Sequence, residues 1–129
     1  MRYTIKDIFL YMRKFLEIYY ISSQSDDLGT LLGDTMFFEE GNSTADPAAW
    51  FDWKDSILKV TGGFAENMYL NVYDSYLCIV EFIDRYGRRI NSVEVSDMIS
   101  EMKMIDKDER ELEYWRLWKE LLKETNVEL

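Results

Sequence analysis

The residues that open this chain return 67 positions later, and this correspondence limits the fold more than any other feature of the sequence. Asp7, Leu10, Phe15, Tyr19 and Ser25 meet the identical residues Asp74, Leu77, Phe82, Tyr86 and Ser92 at that one offset. Similar residues fall between them: Ile5 with Val72, Phe9 with Tyr76, Met12 with Ile79, Leu16 with Ile83 and Asp27 with Glu94. Further on, Trp50 and Trp53 meet Trp115 and Trp118 at an offset of 65, the connecting segment being two residues shorter. Halves of this size are too small to bury separate cores. The pattern therefore predicts one all-α domain over 1–129, with six helices arranged as two pseudo-repeated three-helix halves, about 3–62 and 70–125.

Each predicted helix carries its own start signal. From Thr4 to Ile21, apolar residues recur at three-and-four spacing (Ile5, Ile8, Phe9, Met12, Phe15, Leu16, Tyr19), with Thr4 as N-cap and Asp7 beside it. Asn71 occupies the place of Thr4 in the second half. Ser25 caps a short helix, SDDLGTLLGD, in which Asp26 and Asp27 favour the positive end of the dipole and Leu28, Leu31 and Leu32 form one apolar edge. Gly29 and Gly33 each cost that helix about 1 kcal/mol relative to alanine. Their counterparts are the small residues Ser96 and Ser100, so close packing of a neighbouring helix over that side is expected to compensate. Asp46-Pro47 opens a third helix, whose apolar side is Ala48, Ala49, Trp50, Trp53, Ile57 and Leu58 and whose end is Thr61-Gly62-Gly63. Between the second and third helices, Thr35 to Asp46 reads as irregular, with room for a short extended stretch; Met36, Phe37 and Phe38 are expected under the core, and Glu39, Glu40 and Gly41 outside it. Phe64 and Ala65 are expected near the joint between the halves.

Chemistry is constrained mainly by what is missing. The sequence contains no histidine, which removes the commonest general base, His-dependent nucleophiles and most zinc sites. It also lacks a phosphate-cradling glycine loop, a nucleophile elbow, a calcium-loop pattern and a cysteine pair. No catalytic, cofactor or metal residue is assigned, and the chain is read as a non-enzyme. Cys78, beside Ile79 and Val80, reads as a small buried hydrophobe and points to a reducing compartment. With no run of roughly 18 apolar residues and no signal-peptide pattern, the expected location is the cytoplasm.

Fifteen Lys and Arg against 25 Asp and Glu leave a net charge of −10. That excess repels phosphate backbones and anionic membranes and suits a basic protein partner. The acids able to form such a face are Asp26, Asp27, Asp34, Glu39, Glu40 and Asp46, with Asp52 and Asp55 on the third helix. Asp26, Asp27 and Asp46 equally suit helix N-termini, and a divalent-metal site built on Asp26 and Asp27 is a third reading without a defining spacing. Arg85, Arg88 and Arg89 lie at the end of the fourth helix, where they complement the dipole or meet the acids. The tryptophan pairs are read as core, with one member of each pair able to reach solvent.

The phrases FLEIYY, SDDLGTLLGD and TADPAAWFDW resemble a family of small bacterial helical proteins, over about the first half of the chain. The whole profile is also similar to that of immunity proteins from polymorphic-toxin and contact-dependent growth inhibition systems. That second resemblance implies an inhibitor that binds a cognate toxin domain, often a basic nuclease, and blocks its active site or substrate path. The other class of function in view is a non-catalytic helical adaptor or structural protein that self-associates, as a homodimer, through aromatic surfaces.

Overall fold

A computed structural model describes residues 2–38, 43–106 and 113–127. Among these residues the fold is all-α, with six helices: α1 (Ile5–Ser23), α2 (Asp26–Asp34), α3 (Pro47–Thr61), α4 (Val72–Arg89), α5 (Val93–Met102) and α6 (Glu113–Val127). A 3-10 turn, Lys103–Asp106, follows α5. The predicted caps are in place. Thr4, Ser25, Asp46, Asn71 and Ser92 each accept a hydrogen bond from a backbone N–H in the first turn of α1 to α5 respectively, satisfying donors that a helix start leaves open.

Two short antiparallel ladders add to the helices. β1 (Tyr3–Thr4) pairs with β4 (Tyr69–Leu70), Tyr3 opposite Leu70, and so joins the segments that lead into α1 and α4. β2 (Phe37–Phe38) pairs with β3 (Ser43–Thr44) within the segment read as irregular. Strand alternation corrects one expectation there. Phe37 turns inward against the rings of Phe9 and Trp50, whereas Met36 and Phe38 are about half exposed instead of lying under the core. On α3 the apolar side is narrower than expected, since Ala48 and Leu58 face solvent. Phe64 packs on the core but Ala65 is exposed.

The core is aromatic, with Trp53, Trp118, Tyr76, Phe9, Phe15 and Phe82 almost fully enclosed. Its contacts recur at positions that the two offsets pair. Phe9 meets Trp50 edge-on at 5.3 Å and 80°, and Tyr76 meets Trp115 at 5.2 Å and 78°. Trp53 meets Phe82 at 6.0 Å and 87°, and Trp118 meets Phe15 at 5.9 Å and 88°. These last two contacts cross between halves, so α3 closes over α4 while α6 closes over α1. The indole N–H of Trp53 donates to the carbonyl of Ile5 at 3.0 Å. That of Trp118 donates to Ser75 Oγ at 3.0 Å, which in turn donates to the carbonyl of Val72, the residue paired with Ile5. Each buried indole is thereby satisfied, as its low-dielectric surroundings require.

The glycines of α2 behave differently from one another. A Cβ on Gly29 would lie 3.0 Å from Cε1 of Tyr20, so this position does serve the close approach of α1. Gly33 has nothing within 4 Å of such a Cβ and is exposed, as are Ser96 and Ser100. Close packing does not account for these three. The tight helix crossing in the second half lies instead at Gly87, which the sequence pattern does not single out. Gly33→Ala should accordingly raise stability by up to about 1 kcal/mol through helix propensity alone, measured as an upward shift of the urea midpoint with an unchanged slope.

Candidate functional site

The acids proposed for a partner surface come from the start of α2, its end, the β2–β3 segment and the cap of α3. Asp26 is exposed in the first turn of α2, and its carboxylate has no partner among the described residues. Asp27, half-buried beside it, accepts a 2.5 Å hydrogen bond from Ser92 Oγ, 65 residues away. Asp34 is half-buried and accepts from the hydroxyl of Tyr86 at 3.3 Å. Asp46 accepts from the N–H of Ala48 at 3.1 Å as the cap of α3, and its own N–H donates to the carbonyl of Asp34 at 3.1 Å. Asp34 and Asp46 are therefore adjacent. Glu39 and Glu40 lie outside the described residues.

Two of these acids thus tie the first half to the second. The hydrogen bond to Asp34 also bears on Tyr86, whose hydroxyl is pushed up to about 12 by burial first and by the charge of Asp34 next. Tyr86 is a donor at neutral pH, so the pair is a neutral–anionic hydrogen bond, stronger than one between neutral groups. Burial likewise pushes the Cys78 thiol up to about 12, with Asp74 and Glu81 adding to the effect, and this suits a core side chain better than a nucleophile.

The arginines at the end of α4 are committed within the chain. Arg85 donates to Glu81 at 3.1 Å and reaches Asp55 at 4.0 Å, Arg88 meets Asp84 at 3.5 Å, and Arg89 pairs with Asp52. Lys59 also meets Glu81, at 2.9 Å. Burial pushes the Glu81 carboxyl up, but hydrogen bonds from Lys59 and Arg85 and their charges outweigh it and hold the group below its ordinary 4.5. A carboxylate with a lowered folded pKa contributes stability at pH values above its unfolded pKa and loses it as pH falls through the folded one. Stability should therefore decline as pH drops below about 4.5, and Glu81→Gln should flatten that decline. At pH 7 the substitution should cost about 1 kcal/mol, a modest figure because Lys59 is largely in solvent; thermal unfolding across pH 3 to 7 reads both effects.

Among the described residues, no group of three or more Cys, Asp or Glu side chains is placed to hold a metal ion, and no helix is long and apolar enough to cross a membrane. Trp50, Trp53 and Trp118 are core residues. Trp115 is half-buried between Tyr73 and Tyr76, with Lys119 over its ring. What the site offers chemically is negative charge, on a scaffold in which the three arginines at the end of α4 are paired with acids of the same chain. In comparisons with protein-family models, curated proteins and solved structures, nothing matches this chain.

Proposed function

We propose that this protein is an immunity protein that binds and neutralises a cognate bacterial toxin domain in the cytoplasm, a basic nuclease being the target its charge fits best. The observation that carries the reading is the disposition of charge. The net charge is −10, and all three arginines at the end of α4 are held by acids of the same chain, so they offer little to an anionic ligand. The partner-contacting acids we assign are Asp26, Asp27, Asp34, Glu39, Glu40 and Asp46. Asp26, exposed and with no side-chain partner among the described residues, is the one whose reversal breaks no contact between elements, at the cost of its favourable place at the start of α2. Two duplicated halves underlie this surface, a reading supported by the caps, ring contacts and indole hydrogen bonds that recur at paired positions.

Co-expression tests it. Cells producing the toxin encoded beside this gene should survive only when the chain is also produced, and the two proteins should co-purify with affinity that weakens steeply with salt. Asp26→Lys should lower that affinity roughly tenfold. Failure to form a complex at micromolar concentration rejects the reading.

A second class is favoured by a separate observation. Phe51 and Leu58 on α3 are 63% and 48% exposed, and Tyr69 on β4 is 59% exposed, which supports a self-associating adaptor that uses exposed aromatic surfaces. A homodimer of that kind would be insensitive to salt, and sedimentation at low and high ionic strength separates the two.

A further inference from the structure

The ends of α1 and α4 are paired by the 67-residue offset, yet they are finished differently. At the end of α4 stand Arg85, Arg88 and Arg89; the paired positions on α1 are Ile18, Ile21 and Ser22. The last turn of α1 accordingly contains no basic residue, although its carbonyl end favours one. Across from Arg85 is Asp55 on α3, at 4.0 Å. The residue paired with Asp55 by the 65-residue offset is Glu120 on α6, and it lines a cleft of about 390 Å³ together with Ile18, Tyr19 and Leu117. Glu113 and Glu120 on this cleft have no ion-pair partner among the described residues, while Arg116 on the same rim has interactions of its own within the chain. The acid has been kept and its cation has not.

Tyr19, the floor of this cleft, records the same asymmetry. Its counterpart Tyr86 donates to Asp34, and the residue paired with Asp34 is Glu101. Glu101, however, accepts from the hydroxyl of Tyr114 at 3.0 Å, and the buried oxygen of Tyr19 has no hydrogen-bond partner among the described residues. Such an orphan is costly, and it also leaves a free acceptor for an N–H donor. The ring of Tyr114, in the first turn of α6, lies 4.9 Å from that of Tyr19 and closes the way to it. Beyond it a smaller cleft of about 160 Å³ continues past Ser22 to Glu94.

We infer that the cleft between α1 and α6 receives an arginine side chain from the surface of a protein partner, its stem along Ile18 and Leu117 and its guanidinium against the acidic rim. Arginine suits the site better than lysine because its apolar stem and planar head match an aliphatic wall beside the ring of Tyr19. The guest restores from outside the contact that Arg85 and Asp55 make within the chain at the other end. The inference rests on the proposed toxin-binding reading only in taking the cation's source to be a protein.

The test is a titration of the full chain, with tyrosine rings isotope-labelled, by a soluble nonapeptide bearing one central arginine among serines and glycines, and by the same peptide with citrulline in its place. Saturable shifts of the Tyr19 and Tyr114 rings at millimolar peptide are expected, with citrulline at least roughly tenfold weaker. Ile18→Arg, which fills the cleft from within, should abolish the shifts while leaving the melting temperature unchanged or higher. Glu120→Gln should weaken them roughly fivefold or more, and provides the same test if Ile18→Arg does not fold. Tyr19→Phe, which removes an unpaired hydroxyl that Tyr114 screens from the cleft, should leave binding in place without lowering stability. The inference is overturned if the arginine peptide produces no saturable shift, if citrulline matches it, or if both Ile18→Arg and Glu120→Gln leave binding unchanged. No toxin enters this titration. A chain that takes the peptide but does not protect cells keeps the inference and rejects the immunity reading, and the opposite result does the reverse.

Discussion

Trp118→Ala should lower stability by about 4 kcal/mol and the melting temperature by roughly 10–20 °C. Of the side chains described on α6, Trp118 and Leu122 are the two that are fully enclosed, so the indole is most of what holds this helix to the domain. It fills the space between α1 and α4, meeting Phe15 edge-on at 5.9 Å and donating to Ser75 Oγ at 3.0 Å. Truncation leaves a large cavity and forfeits the ring contact. Ser75 is not orphaned as a donor, because its hydroxyl still donates to the carbonyl of Val72 at 2.7 Å. Trp118→Phe, which keeps much of the volume and loses only the N–H and part of the ring, should therefore cost about 1 to 2 kcal/mol. Trp115→Ala, at a half-buried position, should fall below Trp118→Ala. Urea unfolding of the three variants gives the order, and a larger loss at Trp115 than at Trp118 would remove Trp118 as the anchor of α6.

That the tryptophan pair belongs to the core could be read from the chain, because it depends on local periodicity and on a recurring spacing; which of Trp115 and Trp118 is the enclosed one could not. The caps were readable for the same reason, since Thr4, Ser25, Asp46, Asn71 and Ser92 act within three residues of themselves. Contacts made at long range were not. Nothing in the pair Tyr3–Thr4 announces a ladder with Tyr69–Leu70, because two residues are too few to show a strand period. Met36, Phe37 and Phe38 illustrate the opposite difficulty: three consecutive apolar residues look like core, but pairing of Phe37 with Thr44 turns Phe37 inward and leaves Met36 and Phe38 outward.

The candidate site divides in the same way. That Asp26, Asp27 and Asp46 belong to helix starts follows from their positions in the sequence, whereas the donors to Asp27 and Asp34 are Ser92 and Tyr86, 65 and 52 residues away. Charge counting treats all six assigned acids alike. The fold distinguishes an exposed Asp26 from an Asp27 and an Asp34 that already serve as acceptors between the halves. Substituting the latter two would confound loss of partner binding with loss of structure, and this is why Asp26 carries the charge-reversal test.

The second large effect concerns Gly87, where α4 crosses α5. A Cβ placed there would lie 2.6 Å from Cγ1 and 3.1 Å from Cβ of Val95, a side chain that is 1% exposed and stiff at χ1. Alanine gains about 1 kcal/mol in helix propensity, but the overlap with an enclosed β-branched residue should cost about 2 to 3 kcal/mol. Gly87→Ala should therefore be destabilising by about 1 to 2 kcal/mol, opposite in sign to Gly33→Ala. The bulk at this crossing is arranged differently in the two halves. On α1 the position paired with Gly87 is Tyr20, and there it is Gly29 of α2 that makes room, with its Cβ position 3.0 Å from the far edge of a half-buried ring. A ring edge can swing aside where the Val95 methyls cannot, so Gly29→Ala should be the milder substitution. Removing those methyls should relieve the overlap at Gly87. Combined with Val95→Ala, Gly87→Ala should become close to neutral, giving a coupling of about 1 kcal/mol or more in a double-mutant cycle. Additive losses would mean that the crossing at Gly87 does not depend on contact with Val95.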